Sequence, residues 1–190
     1  MVIRVSIAAS SNEPSQEIVD ASRIFIDRLR ECMESFILYL GGYWGLMRYV
    51  AQHACRSGIH CVFILPENPR EDPPRSQCYI PIYTGLSMRQ RSEALVLSGD
   101  VLVSLGGSVG TIIEILMAYA NSIPVYVLTG YGMDSDRVMN SFSPHADSRK
   151  LTEIKIYYRD PGGMAMDICK EVLQKTRRSR AMASETTRHG

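Results

Sequence analysis

Apolar runs of strand length alternate with amphipathic helical stretches along most of the chain. Val2 to Ala9 reads as a strand, and Pro14 to Met33 as a helix with its proline suited to the first turn. The same alternation gives strand Phe36 to Leu40, helix Trp44 to Arg56, strand His60 to Leu65 and helix Met88 to Leu97. It continues with strand Val101 to Ser104, helix Thr111 to Asn121, strand Pro124 to Leu128, strand Ile154 to Tyr158 and helix Met164 to Lys175. Strands and helices alternating at this spacing imply a parallel sheet with right-handed crossovers and helices on both faces. The expected fold is therefore α/β, a Rossmann-like doubly wound sheet, built as one domain over residues 1–176. Two stretches break the alternation: Pro66 to Thr84, with five prolines, and Gly130 to Lys150. Long irregular segments in compact domains are usually functional or mobile, and the first is expected to lie over a site. Residues 177–190 show no periodicity and are expected to form a disordered tail.

Composition narrows the function classes. The 190 residues suffice for one full hydrophobic core, and the net charge of +1 offers no broad footprint for nucleic acid or an anionic membrane. The expected partner is a small molecule held in a pocket, with no nucleic acid and no membrane. Of 21 basic Lys and Arg residues only Lys150, Lys155, Lys170 and Lys175 are lysines, all late in the chain, so none is placed to hold pyridoxal phosphate. The five cysteines form no CxxC pair, and a reduced, cytoplasmic protein is expected from them. His53, Cys55, His60 and Cys61 lie close together without the usual ligand spacing, so neither a metal nor another cofactor is expected. The N-terminus has no signal-peptide pattern, and no apolar stretch reaches membrane-spanning length.

The chemistry concentrates in two glycine-rich turns, each between a strand and a helix. The first runs from Leu105 to Glu114 and holds Gly106, Gly107, Ser108, Gly110 and Thr111; the second begins Gly41-Gly42 and closes on Gly45-Leu46-Met47. Glycines admit positive φ and close backbone approach, and a helix start behind them offers unpaired N–H groups to an anion. With strand order 3-2-1-4-5-6, the order reverses between the first strand and Val101–Ser104, which places Ser10 and Ser11 beside the Gly106–Thr111 turn. The first loop lacks G-x-G-x-x-G, which argues against ordinary NAD binding. Glu114 sits in an apolar helix, where a carboxylate is hydrogen-bonded, shifted in pKa or used. Thr111 to Glu114 also fits a capping box, so cap and catalyst both stand. A second capping box, Ser87 to Gln90, starts a helix that carries Arg91 on its apolar side and turns Arg89, Gln90 and Glu93 away. Arg91 is then expected to bind something anionic, with a snorkelling or internally paired arginine as the alternative. Asp100, at the opposite strand end, reads as structural, and Tyr43 and Trp44 read as packing before base stacking.

Taken together these motifs resemble the Lonely-Guy family of cytokinin-activating nucleotide phosphoribohydrolases and the wider lysine decarboxylase-like Rossmann set, over Val2 to Leu128. Leu105–Glu114 resembles the signature P-G-G-x-G-T-x-x-E, with Leu105 set against its proline. Gly41–Met47 resembles G-G-x-x-G-L-M, and Met88–Arg91 resembles M-x-x-R. The resemblance implies Glu114 and Arg91 as the catalytic pair. It further implies that Gly106, Gly107, Ser108, Gly110, Thr111, Ser10, Ser11, Gly41, Gly42 and Met88 surround a nucleotide, and that the chain forms a homodimer or larger assembly. The implied reaction is hydrolysis of a nucleoside 5′-monophosphate to free base and ribose 5-phosphate. Arg89 and Ser92 stand where the family usually has histidine and lysine, which brings the chain nearer to relatives resembling molybdenum cofactor carriers. A non-catalytic carrier of a nucleotide or pterin phosphate is thus the alternative.

Overall fold

The computed structural model describes residues 2–172. Its elements are β1 (Ile3–Ala8), α1 (Gln16–Cys32), β2 (Phe36–Leu40), α2 (Leu46–Arg56), β3 (His60–Leu65), β4 (Tyr79–Tyr83) and α3 (Met88–Ser98), then β5 (Val101–Ser104), α4 (Val109–Ala120) and β6 (Val125–Thr129). A 3-10 turn (Asp134–Arg137), the one-turn helix α5 (Val138–Ser141), β7 (Ile154–Tyr158) and helix α6 over 161–172 complete the described chain. The expected tail over 177–190 lies outside the described residues.

All seven strands are parallel, in the order β4-β3-β2-β1-β5-β6-β7. The order reverses between β1 and β5, whose register pairs Val5 with Val101 and Ala8 with Ser104. Alternate residues of each strand enter different cores, as pleating requires. Val5, Ile7, Leu38, Leu40, Phe63, Val103 and Leu128 pack with α1, α2 and α6. Leu102, Val125 and Val127 pack with α4 on the other face, and Val62 and Ile64 pack against Leu95 of α3. This is the doubly wound α/β architecture that the alternating pattern implies.

Three expectations are corrected. The segment Pro66 to Thr84 contains a strand, β4, which pairs with β3 from Cys61↔Tyr79 to Leu65↔Tyr83. Pro81 hides it in the sequence, yet an edge strand tolerates proline because one side of its backbone has no ladder to donate to. Helix α4 begins at Val109, two residues before Thr111, so Thr111 and Glu114 do not form a capping box. Cysteines are paired rather than free: Cys32 with Cys169 and Cys55 with Cys78, at Cα separations of 6.1 and 5.5 Å. Sequence separations of 137 and 23 conceal these pairs. Packing brings them together: α1 lies beside α6, and the end of α2 meets the residue before β4. Cys61 alone is free, buried in β3.

Candidate functional site

A cavity of about 310 Å³ opens at the carboxyl ends of β1 and β5, where ligands of open α/β sheets bind. Ser10 and Ser11 of the β1 loop, Ser108, Gly110 and Thr111 at the start of α4, and Met88 and Arg91 of α3 line it, with Glu114 in its wall. Ile7, Trp44, Met47 and Leu95 supply an apolar side. Among the expected site residues, Gly41, Gly42, Gly106 and Gly107 do not line this cavity. Gly107 lines a neighbouring groove that shares Ser10 and Ser108 with it.

The glycines outside the cavity shape it. A Cβ on Gly41 would stand 2.0 Å from Nη1 of Arg91, so the bare backbone there is what seats the guanidinium. A Cβ on Gly42 would strike the ring of Trp44, which forms part of the cavity wall. Gly106 has φ of +95°, and a Cβ on Gly107 would meet the Thr111 hydroxyl at 2.2 Å. The N–H groups of both glycines are already engaged, donating to the hydroxyls of Ser104 and Ser135 respectively. Ser108, Gly110 and Thr111 at the start of α4 line the cavity, and the first N–H groups of a helix lack intrahelical acceptors.

Arg91 and Glu114 meet inside this frame. The capping box from Ser87 to Gln90 starts α3 as the sequence implies, and one turn later places Arg91 under the cavity, 5% exposed. Glu114 is 7% exposed and accepts a hydrogen bond at 2.8 Å from the Ser92 hydroxyl. Arg91 Nη1 stands 3.8 Å from the same Oε1 of Glu114, while Nη2 points at the Met88 sulfur at 3.1 Å and Nε is buried without a partner. Burial pushes the Glu114 carboxyl above its usual range, against the pull of the Arg91 charge and the Ser92 hydrogen bond. Burial likewise lowers the Arg91 guanidinium, against the pull of Glu114. Each ion is desolvated and only partly compensated by the other.

Three lining residues escape sequence reasoning. Arg89 was expected to face away, yet it lines the cavity, because the first turn of α3 lies at the cavity mouth and its long side chain reaches inward. Arg70 comes from the proline-rich segment before β4 and donates to the Ser11 carbonyl at 3.3 Å. Ser92 is the donor to Glu114. A signal for Arg89 was present: α3 begins with a cation and no acid, the reverse of what a helix start favours. Elsewhere, Asp100 pairs with Arg4 at 2.6 Å, a structural role as expected. Tyr43 packs edge-on against Phe63 at 5.8 Å. His53 pairs with Asp27 at 2.7 Å and Cys55 with Cys78.

Residues 32–157 match the SLOG cluster4 family. The chain belongs to the SLOG cluster4 family. The motif resemblance to the lysine decarboxylase-like Rossmann set holds at this level. No curated protein matches the chain. Among solved structures it is similar to TM1055, with 27% identity over 87% of this chain and 99% of that one and a TM-score of 0.72. It is also similar to the molybdenum cofactor carrier protein of Chlamydomonas reinhardtii, with 23% identity, coverage of 92% and 99%, and a TM-score of 0.67. The molybdenum cofactor binding protein of Rippkaea orientalis gives 20% identity, coverage of 91% and 98%, and the same TM-score of 0.67. These last two likenesses show a shared fold. Counted back from Glu114, the nine-residue signature begins at Gly106, not Leu105, so Gly106 stands at its proline and Ser108 at its second glycine.

Proposed function

We propose that the cavity binds a nucleoside 5′-monophosphate and hydrolyses its N-glycosidic bond, giving free base and ribose 5-phosphate. The observation that carries this reading is the desolvated Glu114–Arg91 pair, held by Ser92 in the wall of a cavity with a helix start at its edge. The volume of about 310 Å³ falls at the lower end of the usual range for small-molecule sites. As the C1′–N bond breaks, its electron pair leaves with the base and positive charge develops on the ribose. The Glu114 carboxylate stabilises that charge and accepts one proton of the attacking water, whose oxygen forms the new bond to C1′. The proton then passes to the departing base. Arg91 favours the ionised form of Glu114 against the effect of burial and helps position the substrate.

Incubating the purified protein with a panel of nucleoside 5′-monophosphates, beside Glu114→Gln, tests this directly. Release of base and ribose 5-phosphate that disappears in the variant is the expected result. A second reading has its own support: Glu114 Oε1 is satisfied from within by Ser92 and Arg91, and two relatives of like fold are named for binding or carrying the molybdenum cofactor. On that reading the cavity holds a phosphorylated ligand intact, and stabilisation of the fold by ligand without any product would replace the hydrolase.

A further inference from the structure

Two charges of the cavity remain unused by the proposed chemistry. Glu114 and Arg91 face each other and offset. Arg70 and Arg89 line the same cavity, and no carboxylate other than Glu114 does. The contact of Arg70 with the Ser11 carbonyl directs its guanidinium without neutralising it.

Their placement concentrates positive potential. Arg89 Nη1 lies 3.5 Å from where a Cβ of Gly110 would stand, over the first turn of α4. Arg89 itself occupies the first turn of α3, and neither helix has an acidic residue in its first turn. Helix starts are the positive ends of their dipoles and ordinarily attract acids. Two helix starts and two guanidiniums therefore meet at one mouth. Packing does not demand the arginines, since both residues are exposed. An anion in the cavity would meet both guanidiniums and both helix starts at once.

The amount of uncompensated charge bears on which anion. A phosphate monoester carries nearly two negative charges at neutral pH, its second pKa lying at about 6. A diester carries one. We infer that Arg70 and Arg89 are specificity residues that seat a phosphate monoester dianion against the first turn of α4, at the mouth of the cavity. This rests on the cavity being a small-ligand site, as proposed above, and not on hydrolysis taking place there. The phosphate end then points outward and the rest of the ligand runs inward along Ile7, Trp44 and Leu95 toward Glu114.

Isothermal titration with ribose 5-phosphate, its methyl ester and free ribose tests the assignment without knowledge of the base. The wild type is expected to bind ribose 5-phosphate, and Arg70→Ala and Arg89→Ala to bind it about ten- to a hundredfold more weakly, the usual effect of losing a charged hydrogen bond. Arg89→Lys retains most of the binding, and the alanine variants melt with the wild type. The methyl ester and ribose bind at least about tenfold more weakly, and acidification to about pH 5, which removes the second phosphate charge, weakens the wild type similarly. Absence of ribose 5-phosphate binding, equal binding of the methyl ester, or alanine variants that bind like the wild type would each overturn the assignment. Binding with this pattern in a protein that cleaves no nucleotide leaves the assignment standing and removes the hydrolase. Nucleotide cleavage without the pattern does the reverse.

Discussion

Glu114 ionises against its surroundings, and the consequences are measurable. Its carboxyl is held above the usual range by burial, while Arg91 and then Ser92 pull it down. If its carboxylate is the catalytic form, the acidic limb of the pH–rate profile lies above the ordinary carboxylate value. Ser92→Ala and Arg91→Gln each remove a group that lowers the pKa, so both are expected to move that limb further up. A limb that stays put in both variants would show that Glu114 does not control it. Stability follows the same direction. A carboxyl whose pKa is raised on folding contributes most below its unfolded value, and that contribution declines as the pH rises through the folded value. Above the folded value the wild type carries a buried charge that the fold alone would not select, the usual mark of a residue kept for function. Gly41 belongs to the same group, since any side chain there would displace the Arg91 guanidinium.

At the scale of elements, the pairing of cysteines across helix ends and strands is the feature that composition alone misjudges. Cys32 and Cys169 join α1 to α6, and Cys55 and Cys78 join the end of α2 to the start of β4. The second pair closes the segment that carries Arg70 to the cavity mouth. Burial pushes the remaining thiol, Cys61, up to about 12, which leaves it unreactive at neutral pH. Thiol titration of protein purified without reductant should therefore find none reactive in the native state, one per chain after denaturation, and five after reduction. Five in the denatured, unreduced protein would mean that the pairs do not form in solution. Strand β4 teaches a related lesson. Its exposed Ile80, Ile82 and Tyr83 alternate with no clear polar face, and Pro81 interrupts it. Nothing local marks it as a strand; its partner β3 does.

For the whole molecule, α4 bears on assembly. Its inner residues Ile115, Ala118 and Tyr119 are buried, but Ile112, Ile113, Leu116 and Met117 are only partly covered and Val109 is 58% exposed. No charged residue other than Glu114 lies on this helix. An apolar stripe of this kind is costly to leave in water and suits a second copy. A homodimer or larger assembly is the expected result of light scattering coupled to size exclusion, and Leu116→Glu is expected to lower the mass to that of one chain. A wild type that runs as a monomer would refute it. Among the described residues no helix is long and apolar enough to cross a membrane.

Much of this was written in the linear pattern. Alternating apolar runs and amphipathic stretches determined a doubly wound parallel sheet, because period-2 and period-3.6 burial are local properties of the chain. The reversal between β1 and β5, the capping box at Ser87, and Arg91 and Glu114 as residues of interest were legible for the same reason. Tertiary structure decided what those residues touch. It set Glu114 against Ser92 and Arg91 rather than in a cap, and gave Gly41 to a guanidinium instead of to the cavity lining. It brought Arg70 from a proline-rich segment and Arg89 from a helix start to one cavity mouth. The paired cysteines and β4 depend on partners distant in sequence. Contacts of that kind carry no local period, so only the folded chain displays them.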